Sequence, residues 1–145
     1  MTAPNSEGVR RCIQGALRAA EIRPEKIDAI NGHLTATMAD PIEVDNWRAA
    51  LETVPAKLPL INSTKSLIGH SLGAAGGIEC VASVLQISRG FIHGSANCED
   101  LHPKLIEYSD RIPRQTRSVA ANIIAKASFG FGDVNACVIF KRWMS

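Results

Sequence analysis

Neither sign of charge dominates this sequence. Sixteen Lys and Arg stand against fourteen Asp and Glu, a formal charge of +2. The basic residues are scattered, so the electrostatic footprint of a nucleic-acid binder is missing. Long apolar runs are missing too. The uncharged stretch Ser66–Gly77 is rich in Gly, Ser and His, unlike the roughly 20 apolar residues of a membrane span. Met1–Arg11 carries Pro4, Glu7 and two arginines where a signal peptide needs an apolar core, so a cytoplasmic protein is expected. Without a secretory route, the glycosylation pattern Asn62-Ser63-Thr64 has no chemical consequence. Cys12, Cys80, Cys98 and Cys137 form no Cys-x-x-Cys pair. That argues against a zinc site or redox dithiol and predicts reduced, mostly buried thiols.

What is there suits one folded domain over residues 1–145. Hydrophobic residues make up 46% and charged residues 21%, the balance of a globular chain. Val9, Cys12, Ile13, Leu17 and Ala20 recur at helical spacing and predict a surface helix over Ser6–Ala20. Ile27–Asn31 reads as a strand running into Gly32-His33. Asp40-Pro41 opens a second helix that ends near Glu52, with Ile42, Val44, Trp47, Ala50 and Leu51 as its inner face. Leu58–Ser63 reads as a buried strand that hands the chain to Lys65 and His70. Ile78, Val81, Ala82 and Leu85 mark the inner face of a third, largely buried helix stopped by Gly90. Phe91–Ser118 is polar and reads as an excursion over the surface. Val119–Ala127 and Val134–Phe140 form an antiparallel hairpin about a glycine-spaced turn. The fold class is α/β, a mixed sheet of four to five strands with helices on its faces.

Candidate chemistry collects where strands end. His33, Lys65 and His70 each follow a strand, and ligand sites of α/β sheets gather at strand carboxyl ends. Two neutral imidazoles converging on one carbonyl oxygen stabilise an enolate, because negative charge grows there in the transition state. An ammonium at Lys65 disfavours imidazolium at His70. Glu79 offers Lys65 a partner, the plain alternative being a surface ion pair worth at most about 1 kcal/mol. His93 and His102, in the polar excursion, read as solvated or loop-packing residues.

Three segments carry a resemblance. Asn31-Gly-His33-Leu-Thr35-Ala-Thr37, the run Lys65 to Glu79 with Gly69-His70 and its Gly/Ala-rich tail, and Ser128-Phe-Gly130-Phe131-Gly132 together resemble the C-terminal half of the β-ketoacyl-acyl-carrier-protein synthases, condensing enzymes of the thiolase-like class. The resemblance implies a decarboxylative Claisen condensation in fatty-acid or polyketide synthesis. His33 and His70 would bind the malonyl thioester carbonyl, Lys65 supporting His70 through Glu79. Thr35 and Thr37 would hold the phosphopantetheine arm of acyl carrier protein. Phe131, between Gly130 and Gly132, would gate the acyl pocket and lend its N–H to an oxyanion hole. No resident cofactor or metal is implied. The implied partners are acyl carrier protein and an N-terminal synthase half, in a complete enzyme that is a homodimer.

Several residues depart from the family pattern. Leu34 stands for the usual Gly, Ala36 for Ser or Gly, and Asp133-Val134 for Gly-Thr. The family's reactive cysteine belongs to the other half, at the start of a buried helix, and no cysteine here has that setting. The expectation is therefore half of a site, inactive alone, with helix faces and a sheet edge left uncovered. Met1-Thr2-Ala3-Pro4 resembles the family's mid-chain segment. The alternative is a non-catalytic chain-length or interaction partner, against which the retained His33, Lys65 and His70 speak. Thiolases carry a second reactive cysteine where Ser128 and Phe129 stand, and neither Ser63 nor Ser71 sits in a hydrolase elbow.

Overall fold

Alternation along the strands sorts the sheet into two faces, and the faces are chemically different. The computed structural model describes residues 5–143; the segment Met1-Thr2-Ala3-Pro4 lies outside them. In chain order the main elements are α1 (Ser6–Ala19), β1 (Ala29–Asn31), α2 (Asp40–Ala50), β2 (Leu60–Asn62), α3 (Lys65–Ile68), α4 (Ala75–Arg89), β3 (Phe91–Ile92), a 3-10 segment (Pro103–Arg111), β4 (Arg117–Ser118), β5 (Ile123–Gly130) and β6 (Val134–Lys141). The main sheet runs β2-β1-β5-β6. β1 is parallel to both β2 and β5, and β6 is antiparallel to β5. The expected mixed sheet is present with four strands, and β3 and β4 pair separately as a short antiparallel ribbon.

One face of the sheet is apolar. Ile30, Ile61, Ile123, Ala125 and Ala127 pack with Val9, Ile13 and Leu17 of α1 and with Val44 and Trp47 of α2. Helix α1 forms there because its apolar residues fall one turn apart and Asn5 caps it, accepting from the N–H groups of Glu7 and Gly8. Pro41 sits in the first turn of α2, where its missing N–H costs nothing. Ile42, expected inward, is 41% exposed, because α2 turns Glu43 toward the interior instead.

Helix α4 covers the other face, and here the structure reverses the expected orientation. Its buried residues are Ala75, Glu79, Ser83, Gln86 and Ile87, while Ile78, Val81, Val84 and Leu85 are exposed. The polar stripe turns inward because polar groups on the sheet wait for it: Asn31 donates to the Glu79 carbonyl and Ser83, and Asn62 to Gln86. The apolar stripe is left facing out, beside the exposed Val134 and Val138 of edge strand β6.

The excursion also differs from expectation. Leu105, Tyr108 and Ile112 enter the main core, and Ser95 donates to the Pro113 carbonyl at 2.8 Å. An apolar residue every three to four positions, Leu105, Tyr108 and Ile112, anchors an otherwise polar segment. The four free cysteines are half-buried rather than mostly buried. Among the described residues no helix is long and apolar enough to cross a membrane.

Gly94 lets the excursion close on itself. A Cβ there would lie 2.6 Å from the Arg114 carbonyl oxygen and 2.7 Å from Gln115 Cα, both backbone atoms. Gly94→Ala should therefore cost about 1–3 kcal/mol of stability through overpacking, read as a lower urea midpoint at unchanged slope.

Candidate active site

Strand register sets a polar row across the carboxyl ends of β1 and β2. Asn31 is paired with Asn62 on one side and Lys126 on the other, so the three side chains share the α4 face of the sheet. Asn31 Nδ2 donates to Thr64 Oγ1 at 2.9 Å, and Asn62 Nδ2 to the His93 carbonyl at 2.8 Å. His93 is buried rather than solvated: its Nδ1 is 2.9 Å from the Gly94 carbonyl, its Nε2 is 3.2 Å from Thr64 Oγ1, and burial lowers its pKa. It packs the loop and buttresses the row. His102 only caps the 3-10 segment, accepting from the Lys104 N–H.

The loop after β1 is held by two carboxylates of α2. Glu43 takes the backbone N–H of His33 at 2.7 Å and of Leu34 at 2.9 Å, one on each oxygen. Asp40 takes the N–H groups of Thr35, Ala36 and Thr37. Burial lifts the Glu43 carboxyl to about 7 although both backbone bonds favour its ionised form. Ala36 is left with φ of 57°, a left-handed conformation that explains why glycine suits this position. Leu34 finds room by packing against the core.

His33 and His70 come together. Their ring centroids lie 5.4 Å apart at 83°, with the Phe129 ring 6.5 Å from His33. His70 Nδ1 accepts the Leu72 N–H at 3.1 Å, which assigns the proton of the neutral ring to Nε2. His33 Nδ1 is buried without a partner, and a proton there would be an orphaned donor, so its neutral ring also carries Nε2–H. Burial, then the charge of Lys65, the neighbouring His70 ring and Lys126, lower the His33 pKa to about 4 against the opposing pull of Glu79. His33 is thus neutral at physiological pH, while His70 is exposed at the mouth of the site.

Lys65 and Glu79 form a buried ion pair, their side chains 5% and 1% exposed, rather than a surface one. A second ammonium joins them. Lys126 Nζ lies 2.9 Å from Glu79 Oε2, a charge contact outside hydrogen-bond alignment, and donates to Ser128 Oγ. The sequence pattern alone does not mark Lys126, Glu43 and Asp40 as site residues. A lysine inside the apolar run Ile123–Ala127 was the available signal for the first. Asp40 and Glu43 fall on adjacent turns of one helix, but nothing in the sequence said which loop they would face.

The other expected residues are more peripheral. The Thr35 and Thr37 hydroxyls are 3.2 Å apart on the His33 loop. Phe131 is 79% exposed on the turn between β5 and β6, with Gly130 before it and Gly132 after it at φ of 75°. Asp133 follows with φ of 63°, again where the family pattern has glycine. Its carboxylate accepts from Asn5 Nδ2 at 3.0 Å and Asn135 Nδ2 at 2.7 Å, in space that Gly8 leaves open. Burial raises the Cys12, Cys98 and Cys137 thiols, the last to about 12, and a raised thiol is a poor nucleophile at neutral pH. Among the described residues no His, Cys, Asp or Glu cluster is arranged to hold a metal ion.

Residues 1–99 match the family model "Beta-ketoacyl synthase, C-terminal domain". The chain is 38% identical over 143 residues to the chloroplastic 3-oxoacyl-[acyl-carrier-protein] synthase I of Hordeum vulgare, covering 97% of this chain and 30% of that protein. It is 34% identical over 142 residues to 3-oxoacyl-[acyl-carrier-protein] synthase 1 of Escherichia coli K12, covering 98% and 33%. Among solved structures, the ishigamide ketosynthase/chain length factor aligns with a TM-score of 0.90 at 31% identity, over 99% of this chain and 34% of that one. A type II polyketide ketosynthase in complex with its acyl-carrier protein aligns with a TM-score of 0.86 at 30% identity, over 99% and 35%. The chain spans about a third of the length of these relatives.

Two outcomes follow from the site as built. Glu43→Gln replaces one acceptor oxygen by an NH2 facing a backbone N–H, and should cost about 1–3 kcal/mol, seen in chemical denaturation together with a displaced His33 amide resonance. The folded-state pKa of His33 lies below its ordinary value, so its contribution to stability is complete above pH 6.5 and is lost as pH falls toward about 4. Stability measured against His33→Asn, which does not titrate, should decline over that window; a flat difference would contradict the assignment.

Proposed function

This chain belongs to the β-ketoacyl synthase family as its C-terminal domain, and we propose that it supplies the malonyl-activating half of a decarboxylative Claisen condensation. The observation that carries this reading is the pair of imidazoles 5.4 Å apart, each with Nε2–H as donor, beside a buried ammonium pair. The two N–H groups hydrogen-bond the thioester carbonyl oxygen of a malonyl group borne on phosphopantetheine. The malonyl carboxylate leaves as CO2, and the electron pair of the broken C–C bond enters the enolate, whose oxygen both rings stabilise. The enolate carbon then bonds to an acyl carbon held as a thioester on a cysteine, and the cysteine sulfur departs as thiolate. Neutral histidines suit this chemistry, since they donate without handing a proton to the carbanion equivalent.

The cysteine comes from the N-terminal synthase half, on the same or a separate chain. The outward apolar stripe of α4 and the exposed Val134 and Val138 of β6 are the face that this half covers. Thr35 and Thr37 hydrogen-bond the phosphopantetheine arm of acyl carrier protein, and Phe131 gates the acyl pocket from the β5–β6 turn. Alone, the chain does not condense.

The test is complementation with a cysteine-bearing half from a related synthase, malonyl-acyl carrier protein and an acyl donor, following CO2 release and 3-oxoacyl product. Turnover should appear only with both halves, and His33→Ala or His70→Ala should lower it about 10²–10³-fold, the loss typical of one oxyanion donor. A folded complex that stays silent would favour the non-catalytic partner instead.

A further inference from the structure

Lys126 is a buried charge for which the two-imidazole reading has no use. It is 3% exposed, lies within the sheet, and pairs in register with Asn31, two residues before His33. Its ammonium shares one carboxylate with Lys65: Glu79 meets Lys65 through Oε1 and Lys126 through Oε2, the latter at 2.9 Å. One carboxylate neutralises one ammonium. Lys65 and Glu79 alone would be an electrically neutral pair, whereas the three together carry a formal charge of +1 in a region closed to water.

We propose that Lys126 is a positioning residue that gives the buried Lys65–Glu79–Lys126 cluster its uncompensated positive charge, a fixed field favouring negative charge brought between His33 and His70. The inference rests on the enolate reading for its purpose but not for its measurement. Isolated buried charge is expensive, and a cluster left at +1 is best explained where an anion forms beside it, here the malonyl carboxylate and then the enolate oxygen. Ser128 fixes the ammonium by accepting its hydrogen bond. The charged and titratable groups facing His33 are Lys65 from α3, His70 from the loop before α4, Glu79 from α4 and Lys126 from β5, with the Glu43 carboxylate on its backbone N–H.

The experiment is a histidine NMR titration of the 145-residue chain, which needs no condensation. Lys126→Met should raise the His33 midpoint, the direction expected when a nearby like charge is removed. Lys126→Arg, which keeps the charge, should leave the midpoint where the unmodified chain has it. An unchanged midpoint in a folded Lys126→Met chain, or an equal shift in Lys126→Arg, would overturn the proposal. Should Lys126→Met fail to fold, the Nζ and Cε resonances of Lys126 in the unmodified chain decide at pH 7: an ammonium supports the charged cluster and a neutral amine rules it out. Failure of complementation with a normal titration would sink the enolate reading alone.

Discussion

A carboxylate with 1% of its side chain exposed cannot stand alone in a protein interior, and the arrangement of this molecule follows from how Glu79 is satisfied. Removing one partner of a buried pair typically costs about 3–5 kcal/mol, so helix α4 has to present Glu79 to ammonium groups that the rest of the chain delivers. Lys65 arrives from the first position of α3 and Lys126 from the middle of β5. The three elements are thereby fixed in azimuth, and the inward polar stripe of α4 is the result. Asn31, Asn62, Ser83 and Gln86 complete the layer with neutral hydrogen bonds.

The site thus divides its labour between Glu79 and the two acidic residues of α2, Glu43 and Asp40. Glu79 is paired with side-chain cations and sets the electrostatics beneath the rings. Glu43 is paired with backbone N–H groups and sets the path of the loop that carries His33. A side chain that positions a loop through its main chain does not depend on the loop's own side chains, which accounts for the tolerance of Leu34 where the family pattern has glycine.

Much of this was legible in the sequence, and the parts that were not share a cause. Helical spacing located α1, α2 and α4, and β-prone runs located all four strands of the main sheet. The strand ends brought His33, Lys65 and His70 forward as candidates. Spacing reveals that α4 has two faces, however, not which one meets the sheet. An apolar stripe is ordinarily the inward one, and it faces out here because the polar stripe answers Asn31, Asn62 and Lys126, three residues whose shared row depends on register across strands remote in sequence. Glu43 and Lys126 are unmarked in the sequence, and His93 reads there as solvated or loop-packing, for the same reason: each matters through a partner more than a few residues away. Leu105, Tyr108 and Ile112 were hidden differently, by the polar residues among which they are spread.

The contact between Asn5 and Asp133 couples the beginning of the described fold to its last hairpin. Asn5 caps helix α1 with its side-chain oxygen and reaches the Asp133 carboxylate with its side-chain nitrogen, one amide serving both ends at once. A swing of the Phe131 tip large enough to carry Asp133 away must therefore either sever that link or rotate the amide and release the first turn of α1. The hairpin is geared to the helix, and its travel is metered by the stability of a cap on the far side of the chain's contour.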